Sequence, residues 1–180
     1  MRKLLNTSAR YGLLSIGLHW LMLLLLIGVF ACISLSDSFP ENSSTETLLK
    51  TSHFTLGLTV FALAWVRLLA KLVSPAPVIE PPIAVWQDRT SKVVQALLYG
   101  LMFCMPVLGW LSLSSSGKQI PFFGWQLPAL IAQNKDFEEI IKSIHEAGAA
   151  TLLVLVGVHA AAALYHHYLL RDNTLRRMLP

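Results

Sequence analysis

The chain has 180 residues, of which 54% are apolar and only 13% charged, with a formal net charge of +4. A soluble domain carries about 25% charged residues, so this composition argues against a fold solvated by water alone, and the length fits one domain. The basic residues gather beside the ends of apolar runs rather than in a patch, and no nucleic-acid motif is present, which argues against DNA or RNA as a partner.

The first apolar run covers residues 13–35. It follows Arg2 and Lys3 and contains Cys32, so it superficially resembles a secretory leader. A leader has an apolar core of about 7–15 residues, and this run is longer and carries His19 and Trp20, so it is expected to be an uncleaved helix. Three more runs follow at 53–72, 93–113 and 147–170. Each is near the ~20 residues that a helix needs to cross a bilayer. Helices satisfy their own backbone groups in lipid, and no stretch alternates with period two, so strands are not expected. Pro106 is a possible kink in the third run.

The connections are polar or proline-broken. Residues 37–50 are acidic and rich in Ser and Thr. Residues 74–88 hold Pro75, Pro77, Pro81 and Pro82 and read as an extended linker. Residues 114–142 form the longest loop. It includes Gly117 and Gly124, and an amphipathic stretch at 135–144 reads as a segment lying on the membrane surface. Cys32 and Cys104 lie in apolar runs without metal-site spacing and read as small buried hydrophobes, with no disulfide framework.

Charge orients the chain. An even number of spans puts both termini and the 74–88 linker on one side, and that side holds ten of the 14 Lys and Arg residues. The other side has only Lys50, Lys118, Lys135 and Lys142, among most of the acids. Basic residues stay cytoplasmic, so both termini are expected there. The fold class is thus all-α, an integral-membrane four-helix bundle forming one domain.

The topology places the histidines in layers. His19 in the first span and His159 in the fourth lie at similar depth near the cytoplasmic side. His53 opens the second span and His145 precedes the fourth, both near the outer side. Fourteen residues separate His145 from His159, about 21 Å and nearly four turns, so one helix would present both on one face. Ionisable groups in or beside a span are costly and usually functional. Two imidazoles from facing helices are a common axial set for haem iron, whereas zinc takes about four ligands, and no acids or thiols accompany these pairs. The same residues could instead be membrane histidines bonded to hydroxyls or carbonyls. The residues leave both readings open.

Arg67 lies fourteen residues after His53 and reads as a partner for a haem propionate or as a snorkelling, topology-setting charge. Arg10, nine residues before His19, admits the same two readings. His166, seven residues after His159, shares its face and could touch a cofactor or a quinone headgroup, or be an interfacial histidine. His167 then faces solvent or headgroups. Trp20, Trp65, Trp86, Trp110, Trp125, Tyr165 and Tyr168 read mostly as interfacial anchors. The alanine run 160–163 reads as a small-residue face.

Several strings are familiar together: LHW at Leu18–Trp20, SH at Ser52–His53, PVLGW at Pro106–Trp110, HEAGA at His145–Ala149, and HAAAALYHHYLLRDNTLRRMLP from His159 to Pro180. The chain resembles, over essentially its whole length, the bacterial cytochrome b561 family, in particular its small members, which include superoxide oxidase. The resemblance implies a di-haem b-type cytochrome of the bacterial inner membrane. His19 and His159 would bind the cytoplasmic haem, His53 and His145 the outer one, and ubiquinone would accept electrons. It further implies superoxide as a donor on the periplasmic side. Lys118 and Lys142 could draw that anion in, or be solvated loop charges. Arg176 and Arg177 read as headgroup contacts. Two other functions remain compatible with the residues: a haem-carrying anchor for a larger dehydrogenase, which would need a protein partner, and a non-haem transporter.

Overall fold

The computed structural model describes residues 4–179. Arg2 and Lys3, used above for orientation, and Pro180 lie outside them. Among the described residues four long helices dominate: α1 Leu13–Ser36, α2 Ser44–Val73, α3 Val85–Ser115 and α4 Lys135–Tyr165. All four are long and apolar enough to cross a membrane. The chain divides into two compact units, each drawing a stretch from every helix. One comprises the chain through Leu21, Ala64–Leu101 and the chain from Ala150 on; the other comprises Met22–Leu63 and Met102–Ala149.

The helices start earlier than the apolar runs. They begin at Ser44, Val85 and Lys135 rather than near 53, 93 and 147, because polar capping builds turns that hydropathy does not register. Ser43 Oγ accepts from the Glu46 N–H at 3.2 Å, and the Glu46 carboxylate accepts from the Asn42 N–H at 2.7 Å. This is close to a capping box. Asn134 Oδ1 caps α4 by accepting from the Phe137 N–H at 3.0 Å. The 135–144 stretch is therefore the first part of α4 and not a separate surface segment. Pro106 does not end α3, which continues to Ser115.

In the unit that holds His53 and His145, the loop after α3 folds back on its end. Ser114 and Ser115 are almost fully buried. Ser114 Oγ accepts from the Leu130 N–H at 3.1 Å, the Asn134 N–H donates to the Ser115 carbonyl, and Trp110 Nε1 donates to the Pro128 carbonyl at 3.0 Å. Trp110 is thus a loop tie. The loop also carries an antiparallel hairpin, β1 Ile120–Phe122 with β2 Trp125–Leu127. Its two turn residues, Phe123 and Gly124, have φ of 48° and 83°, as a two-residue turn of the primed kind requires. The strands are too short for alternation to show, so this hairpin escaped the period-two criterion. Met102, Met105, Val60 and Ile141 are among the buried apolar residues of this unit.

The other unit contains the segment before α1, the α2–α3 linker and the tail. Asn6 joins the first two. Its backbone N–H donates to Ser74 Oγ at 2.8 Å, its Nδ2 to the Ser74 carbonyl at 2.7 Å, and its Oδ1 accepts from Gly12 N–H and Ser15 Oγ. After α4 a π-helical turn, His166–Leu170, ends at Arg171, whose φ of 57° is left-handed. The tail then docks on the linker. Glu80 and Asn173 exchange two hydrogen bonds, both 3.0 Å. Arg177 is only 9% exposed; it donates to the Pro77 carbonyl and lies over the Tyr11 ring, 5.6 Å from its centre. Arg177 is therefore an internal clasp, not a headgroup contact. The proline-rich linker has few N–H donors of its own, so its free carbonyls take donors from the tail.

Most of the remaining helix surface is apolar and exposed, including Leu24, Ile27, Leu69, Leu72, Leu153 and Val154. Such surface suits lipid as the solvent. Cys104 is also exposed and Cys32 half-buried, so neither is the fully buried hydrophobe expected. Ala160, Ala161 and Ala162 are exposed as well.

Candidate functional site: two histidine pairs

In the unit that contains the tail, α1 and α4 bring His19 and His159 together. Their ring centres are 6.2 Å apart, with planes 58° apart. Arg67 of α2 donates from Nη2 to His19 Nδ1 at 2.8 Å and from Nε to the Tyr99 hydroxyl of α3 at 3.2 Å. All four helices thus contribute to this site. Trp20 meets His19 edge-on at 5.4 Å and donates from Nε1 to the Met178 carbonyl at 2.9 Å. Trp20 therefore ties the tail to the site.

In the other unit, α2 and α4 bring His53 and His145 together, 6.4 Å apart with planes at 71°. His53 Nδ1 donates to the Val29 carbonyl of α1 at 2.9 Å. The Met105 carbonyl faces His145, whose buried Nδ1 makes no hydrogen bond of ordinary geometry. Gly109 of α3 lies against the same ring: a Cβ there would sit 3.3 Å from His145 Cε1. The glycine of PVLGW is thus the space in which the ring lies.

With a metal–imidazole bond of about 2 Å and about 1.1 Å from nitrogen to ring centre, two imidazoles on opposite sides of one metal ion sit about 6 Å apart, centre to centre. Both pairs have that separation. Among the described residues no three His, Cys, Asp or Glu side chains converge, so each pair is a two-imidazole arrangement. That donor set fits an iron whose other four positions are filled by a macrocycle.

The other candidates are placed differently. Arg10 is exposed, and its backbone pairs with Thr7. His166 is held by Asp172, from Nδ1 to Oδ2 at 2.5 Å. His167 does not face solvent through Nδ1, which is buried without a hydrogen bond. Lys142 is exposed and 3.8 Å from Glu146. Lys118 is exposed in the loop after α3. Tyr99, Asp172, Gly109 and the Val29 carbonyl were not apparent from the sequence. Of these only Gly109 and Asp172 lie in the quoted motifs; Tyr99 and Val29 carry no local signal.

Comparison with known proteins places the chain in a family. The profile of the prokaryotic cytochrome b561 family matches residues 10–180. "Cytochrome b561 homolog 1" of Escherichia coli is 36% identical over 171 residues, covering 95% of this chain and 97% of that protein. "Probable superoxide oxidase CybB" of Yersinia pestis is 34% identical over 171 residues, covering 95% and 96%. "Cytochrome b561 homolog 2" of Escherichia coli is 29% identical over 181 residues, covering 97% and 93%. With its four membrane-spanning helices, the chain is a multi-pass inner-membrane member of the prokaryotic cytochrome b561 family, electron-transfer proteins that bind b-type haem.

Proposed function

We propose that His19 with His159, and His53 with His145, each hold one b-type haem, and that the protein passes electrons from a periplasmic donor to ubiquinone in the bilayer. The observation that carries this reading is the closely similar separation of the two pairs, 6.2 and 6.4 Å. Haem iron, when bound, supplies a one-electron couple.

The chain's own residues orient the ligands. The Val29 carbonyl accepts a hydrogen bond from His53 Nδ1–H, which fixes the tautomer and leaves the Nε2 lone pair free for metal. Arg67 places a cation beside His19, where it suits an anionic propionate edge. Superoxide as donor is supported by the relative named a probable superoxide oxidase, at 34% identity. Lys118 and Lys142 would draw an anion toward the outer pair, with Glu146 offsetting part of the Lys142 charge.

Haem quantified per purified chain tests this. Two haems are expected in the wild type and one in each of His19→Ala and His53→Ala. A single haem in the wild type, or two retained in either variant, would overturn the assignment. Superoxide should reduce the wild-type haems and ubiquinone reoxidise them; a wild type left oxidised by superoxide removes that donor.

A further inference from the structure

The loop between α3 and α4 carries charge only at its ends. Lys118 and Lys135 bracket residues 119–134, which contain no Asp, Glu, Lys or Arg but do contain Phe122, Phe123, Trp125, Leu127 and Leu130. A stretch of this length is too short to span a bilayer and suits a core or an interfacial position. The fold decides between these. In the hairpin Ile120 opposes Leu127 and Phe122 opposes Trp125. Residues opposed across an antiparallel pair share a face, as do residues two apart on one strand, so these four side chains form one apolar face. Its inner end is covered, with Ile120 only 2% exposed. At the tip Trp125 is 77% and Phe123 68% exposed, and Leu130 beyond the hairpin is 47% exposed. A patch of large apolar side chains left uncovered in this way marks a membrane or protein contact.

Two ties set the level of this loop. Thr55 Oγ1 of α2 donates to the Pro121 carbonyl of β1 at 3.5 Å, and Trp110 Nε1 of α3 donates to the Pro128 carbonyl at 3.0 Å. Thr55 lies five residues past Lys50, ~7.5 Å along the helix axis, in the part of α2 between Lys50 and Arg67 that has no Asp, Glu, Lys or Arg. The hairpin is therefore attached to α2 beyond that helix's last charge on this side, where the lipid-facing surface of the spans begins. Its uncovered face adjoins that surface.

We propose that residues 119–134 lie in the bilayer interface on the side opposite the tail, with Phe123, Trp125 and Leu130 among the ester carbonyls and upper acyl chains of the lipid. An indole, with an apolar body and one N–H donor, suits that level. The hairpin pairs part of its own backbone, which lowers the cost of leaving water. Lys118 and Lys135 keep their ammonium groups at the aqueous boundary. Because the segment between them is uncharged, the contact rests on burial of apolar surface, so it does not need anionic lipid and is not weakened by salt. The α3–α4 connection is then a strap held by α2 and α3 within the protein and by lipid outside it.

The test uses the full chain in proteoliposomes. Trp125 emission is read as the difference between the wild type and Trp125→Phe. A ring seated about 5–10 Å into the headgroup and acyl boundary should lose about half its emission to phosphatidylcholine brominated near the top of its acyl chains, and little to acrylamide. The loss should be the same with phosphatidylglycerol added and at high salt. A second measurement does not depend on Trp125. In a chain whose Cys32 and Cys104 are replaced by serine, a nitroxide on Leu130→Cys should collide mainly with oxygen, and one on Ser38→Cys mainly with a water-soluble nickel complex. Trp125 emission that acrylamide quenches and brominated lipid does not, or a Leu130 label as open to nickel as the Ser38 label, would overturn the proposal and leave the patch as a surface for a soluble protein. Quenching confined to bilayers containing phosphatidylglycerol would also overturn it, because Lys118 and Lys135 rather than the aromatic face would then hold the loop.

Discussion

His53 and His19 stand in different hydrogen-bonding states. The Val29 carbonyl can only accept, so His53 Nδ1 carries the proton and Nε2 is ready for a metal. At His19 the Arg67 guanidinium can only donate, so Nδ1 is the acceptor and the proton sits on Nε2. A haem held by His19 through Nε2 would need the other tautomer, with Arg67 no longer donating to Nδ1. Tyr99, which also accepts from Arg67, would keep the guanidinium near the site. Its charge would then stabilise the reduced form of a haem held by His19 and His159. Arg67→Met is expected to lower that haem's midpoint by on the order of tens of millivolts, in a redox titration where the other haem serves as control. Gly109 makes a second residue-scale prediction. Gly109→Ala puts a methyl 3.3 Å from His145 Cε1, tight enough to displace the ring. Weaker loading of the haem on His53 and His145 is expected, with the His19 site spared, read as haem per chain.

At the scale of elements, the tail and the α2–α3 linker form one docked structure. Arg177 is nearly buried and satisfies the Pro77 carbonyl. Arg177→Met removes a charge-assisted bond, at a cost of about 2 kcal/mol. The expected readout is a lower Tm and faster protease cleavage between Arg171 and Leu179; unchanged cleavage would mean that other contacts hold the tail alone. Asp172 gives the same clasp a pH dependence. Its carboxyl is held low, so its contribution is complete above about pH 4, the unfolded value, and is lost only as pH falls through the lower folded value. Asp172→Asn should abolish that acid-side loss in thermal melts. Little of this was legible beforehand. The sequence announced the linker through its prolines, but Arg177 looked like a surface charge because nothing local marks a carbonyl one hundred residues away. The helix starts were hidden for a related reason: caps such as Ser43 and Asn134 act through polar atoms that hydropathy treats as loop.

At the scale of the whole molecule, orientation is open to direct measurement. The asymmetry of Lys and Arg predicts a cytoplasmic tail. In a chain whose Cys32 and Cys104 are replaced by serine, a cysteine introduced at Ser38 should react with an impermeant maleimide from the periplasm, and one at Asn173 only after lysis; the reverse pattern would invert the topology. The sequence by itself determined the four spans, because the length of an apolar run is set by the thickness of the bilayer. It also determined which histidines pair, because helix rise and alternating direction fix depth. Only the tertiary structure decided how those imidazoles are held: the Val29 carbonyl behind His53, Arg67 and Tyr99 beside His19, Gly109 under His145, and Asp172 turned back onto His166. Those are contacts between distant segments, and hydrogen-bond geometry at a few ångströms leaves no periodic trace in the chain.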